Sequence, residues 1–414
     1  MERIIVKKSR LQGKIKLSGA KNSALKLLTA SILTDEEIYI DNFPLGITDA
    51  QIHIQMLEKL GKACIKGKSS ISITSKGVLN DSLEWNGRSI RNTLLIFGAL
   101  LARNGKAKVP LPGGCTIGNR KYDLHQMLLE KLGARIWEED SYLCGEAPNG
   151  LEGTEIFLPM RSTGATENGI LAGCLATGQT TVWNPHIRPE IIDLIEFLRS
   201  MGAIIEIRGN ESIRIRGVEK LNGTKHTVIA DNMEAITYFI ASVITGGDVE
   251  IVNFPFEHLE VPLIHLRESG AKFYRGDNSI IVRGGECYPI EISTGPYPGI
   301  NSDMQPLFAV YGLCAKGKSK VVDLRFPDRF GYAEELGKMN GTMKVEKNAL
   351  VINGGQDLNG SQVNALDLRC GAALIIAGLV AQGETIINNF EQVRRGYEDV
   401  LEKFSSIGAN VQDY

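Results

Sequence analysis

The sequence predicts an α/β protein with its helices inside and its sheets outside, built from six repeated units. Three observations lead there. A phrase of the form LxxLGAxI returns six times along the chain. Each copy is preceded by a helix-length segment that is apolar nearly all round, and such a helix belongs in an interior. Short strand-like runs, five of the six led by glycine, lie between the two, so strands alternate with helices throughout.

The phrase reads LEKLGKACI at 57–65, LEKLGARI at 129–136, LRSMGAII at 198–205, LRESGAKF at 266–273, the degenerate LGKMNGTMKV at 336–345, and FSSIGANV at 404–411. The apolar helices are NSALKLLTASIL, IRNTLLIFGALLA, ATENGILAGCLA, MEAITYFIASVI, DMQPLFAVYGLCA and LRCGAALIIAGLVA. Each is followed by a turn and a strand: EEIYIDNF, GKAKVPL, GQTTVWN, GDVEIVNF, GKSKVVDL and GETIINNF. A second, amphipathic helix then runs into the LG phrase, where glycine serves as the C-cap, and one or two strands close the unit. The spacing is too long for a common helical solenoid. Six units divide naturally as three and three.

Composition narrows the function. The 46 Lys and Arg against 48 Asp and Glu leave the net charge near zero, so no global field points to nucleic acid or an anionic membrane. An anionic substrate therefore needs a local basic cluster. The longest apolar runs, such as LLIFGALLA, reach about half a membrane span, and MERIIVKKSRLQGKIKLSGAKN reads as a strand rather than a leader. Seven cysteines without CxxC spacing suit reduced thiols in a cytoplasm, not a disulfide framework or a zinc site. No Walker motif, dinucleotide fingerprint, HExxH or GxSxG is present, and His125 lacks a metal-spaced partner.

The chemistry-bearing stretch is VPLPGGCTIGNRKYDLH, residues 109–125. Pro-Gly-Gly permits a tight turn that carries Cys115 on a loop, with Arg120 five residues on and Arg91 and Arg103 assigned to the preceding helix. Cations favour a thiolate and hold phosphate or carboxylate; the alternative is a packed structural cysteine. The other six cysteines fall in strand or apolar-helix patterns and read as core. SGAKNSALK puts Lys21 and Asn22 at a helix start, where free N–H groups bind anions or a cap simply satisfies them. RSTGATEN is the matching turn of the third unit. Asp303, in NSDMQP, opens the fifth apolar helix as a dipole-favoured acid or a general base. Arg329, Arg369 and Arg395 stand at loop–helix junctions, each readable singly as a surface or capping arginine.

Taken together, the sixfold repeat with SGAKNSALK, PLPGGCTIGNR, STGATEN, SDMQ, DRF, DLR and RGYE resembles the UDP-N-acetylglucosamine enolpyruvyl transferases of peptidoglycan synthesis, in order and over essentially the whole chain. The sister family, 5-enolpyruvylshikimate-3-phosphate synthase, shares the sixfold plan without this cysteine loop. The resemblance implies an inside-out α/β barrel-like fold of two domains, each of three βαβαββ units, with the active site in a cleft that closes on substrate. One domain would comprise 1–20 with 230–414, the other 21–229. The implied reaction moves enolpyruvyl from phosphoenolpyruvate to a sugar hydroxyl by addition and then loss of phosphate. By similarity Cys115 is the general acid and Asp303 takes the hydroxyl proton. Lys21, Arg91, Arg120 and Arg395 match the cationic cradle for phosphoenolpyruvate. Asn22, Asp123, Ser162, Gly164 and Arg329 match sugar-nucleotide or orienting positions, and Arg369 a positioning arginine. No metal or organic cofactor, nucleic acid or membrane is implied, and the expected state is a cytoplasmic monomer that fosfomycin targets.

Four positions depart from the family pattern. Lys121 replaces the proline that frames the uracil ring and is followed by Tyr122; Asn232 replaces an arginine in ADNMEAIT; Thr163 stands where SVGAT has valine; and Arg325 replaces an apolar residue. The catalytic set is intact while the nucleotide side differs. That leaves a second reading, the same chemistry on another nucleotide or nucleotide sugar, and a third, a scaffold that binds nucleotide sugars without turnover.

Overall fold

The computed structural model describes residues 2–113 and 121–414. The apolar segments form six helices: α1 (Lys21–Ala30), α2 (Thr93–Asn104), α3 (Thr163–Gly173), α4 (Asn232–Ile244), α5 (Gln305–Cys314) and α6 (Leu368–Gly378). All are inside. Thr93 through Leu101 of α2 and every residue of α6 are buried, and each such leucine or isoleucine contributes about 1.5–3 kcal/mol of burial. A Cβ at Gly98 of α2 would lie 1.8 Å from Asn168 Oδ1 on α3, so these two helices meet at a contact only glycine permits.

Six sheets cover these helices on one plan. Glu155–Phe157 runs parallel to Gln179–Trp183, which pairs antiparallel with Ser212–Arg216, which in turn pairs antiparallel with Ile204–Arg208. The same order recurs in four other sheets. In the remaining one, three-stranded, the single bridge Ser82↔Lys108 stands where the parallel edge would be. Side chains alternate as strands require: in Ser70–Ser75, Ile71 and Ile73 face the core while Ser70, Ser72 and Thr74, at the alternate positions, are half-buried.

Among the described residues, 2–18 with 230–414 form one compact unit and 19–113 with 121–229 the other. Each has its own hydrophobic core and three of the six sheets. The N-terminal stretch is two strands, not one. Arg3–Lys7 is an inner strand between Glu384–Asn388 and Asn410–Asp413, whereas Gln12–Lys16 is the parallel edge beside Asp248–Val252. The break is local: Ser9 Oγ turns back to donate to the Lys7 carbonyl at 2.8 Å.

The LG phrase ends each outer helix as expected. Gly61, Gly133, Gly202, Gly270 and Gly408 all have φ between 89° and 104°, the left-handed region that glycine enters without penalty. In the degenerate fifth copy Asn340 takes this place at φ 69°, as the residue type that best tolerates it after glycine. No helix among the described residues is long and apolar enough to cross a membrane.

Candidate active-site clusters

In the unit that carries α1, Lys21 is the first helical residue and is buried. Its ammonium lies 2.7 Å from Asp49 Oδ2, also buried. One and a half turns on, Lys26 lies 3.7 Å from Glu167 on α3. Arg188 grips Glu190 through two bonds, Nε to Oε2 at 2.7 Å and Nη2 to Oε1 at 2.8 Å. Three cations and three carboxylates therefore share one interior. Burial lowers the Lys26 ammonium against the pull of Glu167, and burial pushes the Glu167 carboxyl up to about 7. Asn22 is half-buried beside Lys21.

Arg91 sits in the turn before α2, not on the helix, and its Nη2 donates to the Lys121 carbonyl at 2.7 Å. Arg103 is on α2 as the sequence reading placed it, in the last turn at the opposite end from Arg91, and its guanidinium is bonded to Asp35. Cys115 and Arg120 lie outside the described residues. Downstream, Asp123 opens the helix Asp123–Lys131 and is exposed; Tyr122 bonds Glu138. Ser162 caps α3, its Oγ accepting from Ala165 N. Gly164 faces His125 so closely that a Cβ would lie 2.8 Å from Nε2. Thr163 Oγ1 is 2.8 Å from His186 Nδ1.

Asn92 joins these elements. Its Nδ2 donates to the Leu25 carbonyl at 3.0 Å and Thr29 Oγ1 at 2.9 Å, and lies 3.3 Å from His53 Nδ1; its Oδ1 accepts from Lys26 at 3.2 Å. Burial pushes the His53 imidazole down to about 3, with Lys26 adding to the effect. A folded-state pKa below the ordinary value means that the unfolded chain binds the proton first. Stability present above pH 6.5 is thus lost as pH falls toward 3, by up to about 1.4 kcal/mol per unit. Urea unfolding of the wild type and His53→Gln is expected to show a stability difference that shrinks or reverses from pH 7 to 4. A difference independent of pH would remove His53 as the group responsible.

The other unit builds a second cluster around Asp303. This residue lies in the short turn Ser302–Met304 ahead of α5, with its amide bonded to Asn301 Oδ1 at 3.1 Å. Arg329 Nη1 meets Asp303 Oδ1 at 2.7 Å, and Arg369 Nε meets Oδ2 at 3.3 Å. The carboxylate is therefore held from both sides while its side chain stays 26% exposed. The arginines are not surface groups: Arg329 is 7% exposed, Arg369 1% and Arg395 3%. Burial opposes the charge of Arg329, but Asp303 and Asp367 outweigh it; for Arg369, Tyr397, Asp303 and Asp231 do so, and both pKa values are raised. Arg369 also stacks over the Tyr397 ring at 5.3 Å. Arg395 follows the helix Glu391–Arg394 and donates to Gln392 Oε1 at 3.2 Å.

Two organising residues escaped the sequence reading. Asp367 caps α6 through Arg369 N at 2.7 Å and Cys370 N at 2.9 Å, and lies 3.7 Å from Arg329. Its signal was present, an aspartate immediately before the sixth apolar segment. Asp323 is wholly buried and collects Thr294, Ser302, Gln305 and the amides of Arg325 and Phe326. It ties the Arg329 loop to the Asp303 turn, and nothing in its local sequence marks it. Of the departing positions, Asn232 is buried at the start of α4, Arg325 lies over the Phe326 ring at 5.5 Å, and Lys121 is exposed. No cluster of metal-ligating side chains occurs among the described residues.

Residues 5–404 match the family model of EPSP synthase (3-phosphoshikimate 1-carboxyvinyltransferase). The chain is 38% identical over 417 residues to UDP-N-acetylglucosamine 1-carboxyvinyltransferase of Pseudoalteromonas atlantica, covering 100% of this chain and 99% of the relative. The protein of the same name from Finegoldia magna is 40% identical over 418 residues, with the same coverage. Among solved structures, the enolpyruvyl transferase NikO from Streptomyces tendae superposes with a TM-score of 0.91 at 24% identity, covering 100% of this chain and 99% of that one. EPSP synthase from Acinetobacter baumannii gives 0.78 at 19%, with both chains fully covered. These two likenesses concern the fold, and it is the inside-out α/β fold of six units.

Proposed function

Because the chain belongs to the enolpyruvyl (1-carboxyvinyl) transferase family, we propose that it transfers enolpyruvyl from phosphoenolpyruvate to the 3-hydroxyl of UDP-N-acetylglucosamine, with release of phosphate, in the cytoplasm and for peptidoglycan synthesis. The observation that carries this reading is Asp303 held between Arg329 and Arg369 yet still reachable by solvent. A carboxylate so placed can accept a hydroxyl proton. Full-length identity to proteins of that activity supports the acceptor.

In this reading the acceptor oxygen adds to C2 of phosphoenolpyruvate while C3 gains a proton. The C2–O bond to phosphate then breaks as C3 gives a proton up. Cys115 delivers the first proton and Asp303 receives the one from the hydroxyl. Lys21, Arg91, Arg120 and Arg395 neutralise the phosphate and carboxylate as charge develops. Asn22, Asp123, Ser162, Gly164 and Arg329 hold the nucleotide sugar, and Arg369 orients Asp303. The chemistry calls for no metal or organic cofactor. The two compact units are the two domains, and the protein acts as a monomer.

One observation favours a second acceptor. Lys121 offers an exposed cation two residues from Asp123 while its own carbonyl is held by Arg91. An acceptor with a further anionic group would profit from it. Phosphate release is to be measured with UDP-N-acetylglucosamine, UMP and other uridine nucleotides, for wild type and Lys121→Pro. Preferred turnover of UDP-N-acetylglucosamine by the wild type is expected. A strong preference for another uridine nucleotide, weakened in Lys121→Pro, would overturn that acceptor and keep the reaction class.

A further inference from the structure

The side chain of Asn92 is spent in an unusual way. It precedes α2 in the capping position, yet makes no bond to that helix's own amides. It reaches instead to α1, giving its nitrogen to Leu25 and Thr29 and its oxygen to Lys26. Lys26 is the one charged side chain within the run from Asn22 to Leu33, and it is 13% exposed, against Glu167 on α3. A buried ion pair stabilises a core no better than apolar side chains of the same volume, so packing alone does not call for it. What an ammonium supplies is direction, through three donors on one nitrogen. With Lys26 present, both polar atoms of the Asn92 amide have partners on α1 and its rotation is fixed. Without it the oxygen loses its bond and the start of α2 is held from one side only.

We propose that Lys26 is a positioning residue for Arg91: it locks Asn92 to α1, and so fixes the turn from which Arg91 reaches both the Lys121 carbonyl and phosphoenolpyruvate. The proposal rests on the reading of Arg91 as a phosphoenolpyruvate-binding group. Glu167 has the complementary task of holding the ammonium in place, between Lys26 and the Arg188–Glu190 pair.

The test separates positioning from simple charge balance. Lys26→Met leaves Glu167 buried without its cation, so a loss of stability there says nothing about Arg91. The double variant Lys26→Met/Glu167→Gln removes both charges and is expected to recover thermal stability. Its KM for phosphoenolpyruvate is nevertheless expected to rise about ten- to a hundredfold, the scale of a misplaced binding group, with acceptor KM within about twofold. Asn92→Ala is expected to give the same selective rise, and carries the test if the double variant does not fold. Lys26→Arg, which keeps a donor, is expected to recover part of the loss. Wild-type KM for phosphoenolpyruvate in the folded double variant or in Asn92→Ala overturns the positioning role, with the functional reading intact. A wild type that neither binds phosphoenolpyruvate nor releases phosphate from it overturns both.

Discussion

Replacing Cys115 by alanine is expected to lower phosphate release at neutral pH by about a hundred- to ten-thousand-fold, the usual weight of a general acid. Cys115→Asp is expected to retain part of the activity, since a carboxylic acid can deliver the same proton. The contrast with the other thiols sharpens the prediction. Burial pushes Cys64, Cys174, Cys314 and Cys370 up to about 12, and raises Cys144 and Cys287 as well. None of these six offers a thiolate near pH 7. Cys115 follows Pro-Gly-Gly and precedes Arg120 in a segment between the strand Lys106–Pro110 and the helix Asp123–Lys131. The epoxide fosfomycin, a small phosphonate, is therefore expected to label Cys115 and leave the other six untouched, as peptide mapping after intact-mass analysis would show. Full activity of Cys115→Ala would remove the residue from the mechanism. Equal labelling of several cysteines would remove the case for an activated thiol.

The repeat made the fold legible because it writes each structural decision six times. Apolar helices, β-branched strands and LG turns are local signals, and even the degenerate fifth copy kept its left-handed turn by placing Asn340 where glycine had been. What local pattern could not give was partnership across distance. Arg3–Lys7 and Gln12–Lys16 looked like one strand because nothing near them shows that their neighbours lie hundreds of residues away in different sheets. The same limit governed the site. Lys21, Ser162 and Asp303 stood out as helix-start residues, and Arg329 and Arg369 as arginines in junctions. That both arginines close on one carboxylate, that Arg103 is taken by Asp35, and that Asn92 serves α1 rather than α2 are facts of tertiary contact. Asp323 is the extreme case, a wholly buried carboxylate whose five partners come from three separate stretches of chain.

Asp303→Asn is expected to reduce kcat by about a hundred- to ten-thousand-fold while changing acceptor affinity little. Asparagine keeps the shape of the side chain and one oxygen to accept from Arg329, but it loses the charge and the capacity to take a proton. It also turns an N–H toward Arg369, where a donor already points. The fold should tolerate this. Arg329 retains Asp367 at 3.7 Å, and Arg369 retains the Tyr397 ring and the field of Asp231. The lost pair is also partly exposed, so its removal costs less than that of a fully buried one. Thermal unfolding and acceptor titration separate the alternatives. A folded variant that binds acceptor normally and turns over slowly makes Asp303 the base. A folded variant whose kcat is unchanged but whose acceptor KM rises makes it a binding residue, and the hydroxyl proton must then leave by another group. The two arginines bear on the same choice. They hold the two oxygens of Asp303, at 2.7 and 3.3 Å, so that the carboxylate presents one orientation to the acceptor. Arg369→Lys, keeping the charge without the planar fork, is therefore expected to lower kcat less than Asp303→Asn does. Equal losses would mean that the orientation of the carboxylate matters as much as its charge.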